Sequence, residues 1–194
     1  MTSVASFRRA PVLADLVPGT RLRDVALVLA GTVFVTLAGW VAVPLPFTPV
    51  PVSLATFAVL LTGAALGPAR AAASILVYLA AGTAGAPMFA EFSSGWAFAS
   101  YGYALGYLVA AVLVGELARR RADRSVLGTA ALAVASTATI YAIGVPWLVV
   151  FLGVDLATGL TLGVVPFLVG DVIKAAAAAL LLPGAWSIVR RVRQ

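Results

Sequence analysis

Apolar residues fall into six runs along the chain, each close to the roughly 17–25 residues that a membrane helix needs. They span Asp24–Val43, Pro51–Gly67, Arg70–Ala86, Trp96–Ala118, Val126–Leu152 and Leu162–Trp186. The breaks between them are rich in residues that stop helices or carry charge: PLPFTPVP, GPAR, GAPMFAEFSSG, RRRADRS and GVDLATG. The pattern predicts an all-α polytopic membrane protein of six transmembrane helices, in which the short second and third runs form a helical hairpin. Residues 1–23 read as a cytoplasmic tail without the continuous apolar core of a signal peptide, 24–189 as one six-helix transmembrane domain, and 190–194 as a basic cytoplasmic end.

Charge placement orients the helices. Six crossings put both termini on one side, and that side then receives Arg8, Arg9, Arg21, Arg23, Arg70, Arg119, Arg120, Arg121, Arg124, Arg190, Arg191 and Arg193. Of the 13 basic residues only Lys174 is left out, and it lies inside a helix. A one-sided arginine distribution places both termini in the cytoplasm and the PLPFTPVP, FAEFSSG and GVDLATG loops outside. The net charge of +6 is accordingly a matter of topology and contact with anionic lipid rather than nucleic-acid binding.

Composition narrows the chemistry. Hydrophobic residues make up 62% of the chain and charged residues 10%, against roughly 25% charged in soluble domains. Cysteine and histidine are both absent, which removes disulfides, thiolate nucleophiles, the commonest metal ligand and the usual general base. No catalytic constellation, metal site or cofactor is expected. Ser93 and Ser94 in FSSG lack an activating base. A phosphate-cradling G-x-x-x-x-G-K-[ST] loop is also missing, so ATP hydrolysis by that route is excluded.

Against this apolar background, GDVIK stands out. A charge at the centre of a membrane helix costs about 2.5–3.5 kcal/mol on insertion scales, so Asp171 and Lys174 need a partner, a cavity or a ligand. Three residues apart, they share one helix face, and Lys174 lies about 12 Å inward of Pro166 at 1.5 Å per residue. One reading is an internal ion pair that locks the bundle. The other is a pocket open to the outside, in which the ammonium meets a small carboxylate and the aspartate accepts from N–H donors. Trp96, Phe98, Tyr101, Tyr103, Tyr141 and Trp147 lie near enough to the outer helix ends to wall such a pocket or to anchor in the interface.

Three stretches carry a family resemblance: VPVSLATFAVLLTGAALGPARAAASILVYLAAGTAGAPMFAEFSSG, GVPWL at Gly144–Leu148, and LGVVPFLVGDVIKAAAAALL. Together they resemble BioY, the biotin-specific substrate-binding (S) component of energy-coupling factor transporters. Two departures stand out: Ala55 occupies a position where the family commonly has Gln, and ASYGYALGYL replaces a G-P-T-G-G-Y-L stretch.

The resemblance implies a six-helix S component in a prokaryotic cytoplasmic membrane. It would capture biotin from outside and be powered by a transmembrane coupling protein and two ATPase subunits. It also implies that Asp171 and Lys174 are the ligand pair and that Glu91 reaches the ureido ring; Tyr141 and Trp96, from the aromatic set near the outer helix ends, are further binding candidates. On the first helix it makes Ala26 and Ala30, an A-x-x-x-A pair that permits close helix approach, the docking face for the coupling protein. The proline-rich loop carrying Pro44, Phe47 and Pro49 cannot continue a helix and suits a lid over the pocket. The alternative function is a proton-coupled secondary carrier of a small carboxylate, with Asp171 as its protonatable relay.

Overall fold

A computed structural model describes residues 10–192. Arg8, Arg9 and Arg193 of the basic clusters lie outside the described residues. Among the described residues seven α-helices follow one another: α1 Arg21–Trp40, α2 Ala55–Leu66, α3 Pro68–Thr83, α4 Tyr101–Ala118, α5 Val126–Leu152, α6 Leu156–Gly163 and α7 Leu168–Val192. Four stretches are long and apolar enough to cross a membrane: α1, α4, α5 and the run Leu156–Val192. At 1.5 Å per residue, α2 with 12 residues and α3 with 16 reach about 18 and 24 Å, short of a hydrocarbon core of about 30 Å.

The expectation of an all-helical chain is corrected at PLPFTPVP. Here β1 (Ala42–Leu45) and β2 (Thr48–Ser53) form an antiparallel hairpin, with Ala42 opposite Ser53 and Val43 opposite Val52. Proline lacks the N–H that a helix interior requires, yet it is tolerated in a ribbon with two free edges. Alternation along β2 buries Thr48 and Val50 and exposes Pro49, while Pro44 on β1 and Phe47 in the turn are exposed as well. Two helix starts also differ from the sequence reading. Trp96 precedes α4, which begins at Tyr101, and the last apolar run is broken at Pro166 by a 3-10 turn, Val165–Phe167, between α6 and α7.

Helix α4 is the centre of the bundle, flanked by α5, α2 and α3, while α1 packs on α3 and α2, and α7 leans chiefly on α5. Small residues make this crowding possible. A Cβ on Gly115 would lie 2.4 Å from the backbone nitrogen of Pro68, so only glycine lets α4 pass the α2–α3 junction. At the junction itself, Gly67 turns the chain with φ +79°, which side-chain-bearing residues rarely adopt.

The basic residues gather at one end of the bundle, and the stretch read as a tail is packed there over Ala10–Leu16. Val12 is fully buried, the Ala10 N–H donates to the Arg119 carbonyl at 3.0 Å, and Arg124 donates to the Pro11 carbonyl at 3.0 Å. Arg70 ties this stretch to α1 by donating to Asp15 at 2.7 Å and to Asp24 at 3.0 Å.

At the same end Asp123 is fully buried, and Trp186 Nε1 on α7 donates to its Oδ2 at 2.5 Å. The Arg124 guanidinium stacks 4.0 Å from the centre of the Trp186 ring. Burial pushes the Asp123 carboxyl above the ordinary carboxylate range, against the opposing pull of Trp186 and Arg124. The folded state therefore holds this proton more firmly than the unfolded chain does. The stability it contributes is lost as pH rises from about 4 through the raised folded value. Asp123→Asn keeps an acceptor for Trp186 without the charge, so its melting temperature in detergent should fall less steeply with pH over that window. Equal pH slopes for the variant and the parent would refute the assignment.

Candidate functional site

Helix α7 begins at the Val165–Phe167 turn and presents Asp171 and Lys174 one turn apart toward α2 and α5. Both side chains are 13% exposed, so neither is left facing lipid or bulk water. Lys174 Nζ donates to Thr56 Oγ1 at 2.9 Å and stands 3.6 Å from Asp171 Oδ1. Tyr141 of α5 donates its hydroxyl to Asp171 Oδ2. The pair is thus held from two helices: α2 positions the ammonium and α5 the carboxylate.

Above the pair lies a cavity that encloses about 560 Å³ together with the solvent space at its mouth. Asp171, Lys174, Thr56 and Tyr141 supply polar groups, and Tyr78, Phe89, Phe98, Tyr103, Tyr107 and Phe167 supply aromatic walls. The rings support one another: Phe89 meets Tyr78 edge-on at 5.1 Å and Phe98 at a tilt at 5.5 Å, and Tyr103 meets Tyr141 edge-on at 6.3 Å. Tyr103 also donates to the Gly163 carbonyl at 2.9 Å, which ties α4 to the end of α6. The hairpin closes one side through Val50, Pro51 and Ser53, and Thr48 anchors it by donating to the Leu162 carbonyl at 2.8 Å.

Such a cavity offers an ammonium, a carboxylate and hydroxyls inside an apolar ring. It can neutralise an anionic group and accept from N–H donors while flat faces stack on the ligand's body. In the low dielectric produced by burial, each of these contacts is stronger than in water.

The structure brings Asp171, Lys174 and Tyr141 together in one wall. Glu91 and Trp96 are both exposed and do not line the cavity. Their loop contributes Phe89 and Ala90 instead, and Glu91 and Phe92 take left-handed backbone angles with φ of 56° and 57° as the chain turns back. The exposed hairpin residues Pro44, Phe47 and Pro49 are likewise outside the wall. Ala26 and Ala30 lie exposed on α1, opposite the face on which Gly31, Thr32, Val35 and Thr36 are buried. Thr56 and Tyr107 received no role from sequence. Thr56 stands within the LATFAVLL motif, and only its distance to Lys174 reveals its part.

The model of the BioY family matches residues 9–191. The chain belongs to the BioY family. Among similar proteins is the probable biotin transporter BioY of Pyrococcus horikoshii, 35% identical over 165 residues that cover 83% of this chain and 94% of that protein. The biotin transporter BioY of Thermotoga maritima is 32% identical over 160 residues, covering 80% and 92%. The fold is shared with the crystal structure of the S-component for biotin from an ECF-type ABC transporter, with a TM-score of 0.74 at 24% identity over 89% of this chain and 92% of that one. Membership of BioY gives the buried pair on α7 a context of membrane transport rather than catalysis.

Proposed function

We propose that this BioY-family chain is the biotin-binding S component of an ATP-driven energy-coupling factor transporter. Biotin enters the α4-centred cavity from outside the cell. The observation that carries this reading is the lining, in which the Asp171–Lys174 pair and nearby hydroxyls face a largely aromatic wall. Biotin has a ureido ring with two N–H donors and one acceptor, and a valerate tail ending in a carboxylate. Asp171 accepts from the ring, Lys174 pairs the acid, and the tyrosine and phenylalanine rings pack the bicyclic body.

In this reading the chain makes six crossings of a prokaryotic cytoplasmic membrane, with α2 and α3 as the short pair and both termini in the cytoplasm. The arginine-rich end of the bundle faces anionic lipid there. Energy comes from a transmembrane coupling protein, which docks on α1 through Ala26 and Ala30, and from two ATPase subunits. The chain itself performs no catalysis.

Uptake of labelled biotin by biotin-requiring cells tests the proposal. Accumulation should require the chain together with the coupling module and should stop on ATP depletion. Accumulation without partners that collapses with an uncoupler would instead support a proton-coupled carrier.

The hairpin gives a further prediction. A label at Thr48 would break its bond to Leu162, so the exposed Phe47, 62% accessible, is the better probe. In this cysteine-free chain, a spin label on Phe47→Cys should lose mobility when biotin fills the cavity beneath the hairpin. Identical spectra with and without saturating biotin would show that the hairpin is a fixed wall and not a lid.

A further inference from the structure

Beside the ligand cavity lies a second, smaller one, and Thr56, Asp171 and Lys174 line both. These three side chains form the partition between the two spaces. On the far side of the partition the small cavity is lined by Ser136 and Thr137 of α5. Ser136 is 2% exposed, and its hydroxyl finds no hydrogen-bond partner among the described residues. A buried hydroxyl without a partner is costly, and native structures rarely leave one.

Lys174 supplies the complementary need. Its ammonium carries three donors, of which Thr56 takes one. Asp171 Oδ1 at 3.6 Å attracts the charge but lies beyond hydrogen-bond length. Hydrogens on the ammonium are left to give, and a hydroxyl one cavity away is left to receive or donate.

We infer that the small cavity is a water-binding site, in which water bridges Ser136 Oγ to Lys174 Nζ and makes Ser136 a positioning residue for the ligand-binding ammonium. Buried waters typically make about three hydrogen bonds and need a polar pocket with room for at least one molecule; this pocket is polar and of single-water size. Water accepts from the ammonium while donating to Ser136 or Asp171, so it links the two groups without adding charge. Held by water on one side and by Thr56 on another, the ammonium points one hydrogen into the ligand cavity. No residue of the small cavity beyond the shared three needs to touch the ligand.

The affinity arm of the test rests on the biotin reading, whereas the stability arm does not. In the ligand-free protein Ser136→Ala should lower the melting temperature, because the water loses a partner. If the cavity were dry, the same change would remove an unsatisfied hydroxyl and raise it. Biotin affinity should fall by about 5- to 10-fold in Ser136→Ala, and Ser136→Thr, which keeps the hydroxyl, should restore most of it. A high-resolution crystal structure of the ligand-free chain should place water within hydrogen-bond distance of Ser136 Oγ. A raised melting temperature in Ser136→Ala, or a dry cavity in that structure, would overturn the water site. A lowered melting temperature with unchanged biotin affinity would overturn the positioning role. A parent protein that melts as expected but binds no biotin would count against the biotin reading and leave the water site to be decided by the first two measurements.

Discussion

Lys174→Ala and Asp171→Ala should each weaken biotin binding by on the order of 2 kcal/mol or more, roughly 30-fold, while the bundle remains extractable and folded. Each substitution removes the ligand's contact and also leaves the opposite charge buried with less compensation. After Lys174→Ala the carboxylate keeps only the Tyr141 hydroxyl, and after Asp171→Ala the ammonium keeps Thr56. Tyr141→Phe should cost less, about 1 kcal/mol, because it removes one neutral donor and no charge. Titration calorimetry with parallel melting curves separates the two readings of the pair. If it were only a structural lock, affinity would stay near the parent's and melting temperature would drop instead. The double replacement Asp171→Leu with Lys174→Met sharpens this contrast: apolar residues of similar size often replace a buried pair without loss of stability, so the variant should melt near the parent and still fail to bind.

Replacing Ala26 and Ala30 with leucine should abolish uptake while leaving biotin binding to the isolated chain intact. Both alanines are exposed on the side of α1 that also exposes Leu22, Val33 and Leu37, away from the bundle. Small side chains there let a partner helix approach closely, and two added isobutyl groups push it outward where no hydrophobic force between helices compensates in lipid. Co-purification with the coupling protein reads the result. A double variant that still assembles and transports would move the docking face elsewhere.

Much of this was legible in the sequence, and the reasons differ from one element to another. The helix α5, Val126–Leu152, matches its apolar run to the residue because Ser125 caps its start and Gly153 ends it in a left-handed turn. Asp171 and Lys174 stand out because charge within an apolar run is physically expensive. The loops were less readable. An apolar stretch from Trp96 looks like a helix start, yet Trp96, Ala97 and Phe98 serve the loop before α4, and Trp147 fixes them by donating to the Phe98 carbonyl at 3.0 Å. Proline predicts the absence of helix in PLPFTPVP but does not choose between an irregular loop and a ribbon. The pairing of Val43 with Val52 across the turn makes that choice, and single-residue preferences do not reveal it. Glu91 illustrates the same limit: its position in FAEF brings the loop to the pocket, while two consecutive left-handed residues leave its side chain outside and turn Phe89 inward. Thr56 and Ser136 are each one of several hydroxyls in apolar helices, and only the packing of α2 and α5 against α7 singles them out.

The most direct measurement is a calorimetric titration of biotin into the purified, ligand-free chain in detergent, without any partner subunit. Capture by the cavity on α7 predicts saturable binding of one biotin per chain, with a higher melting temperature in the bound state. No heat of binding and no thermal stabilisation by biotin, from a chain that melts cooperatively, would contradict it.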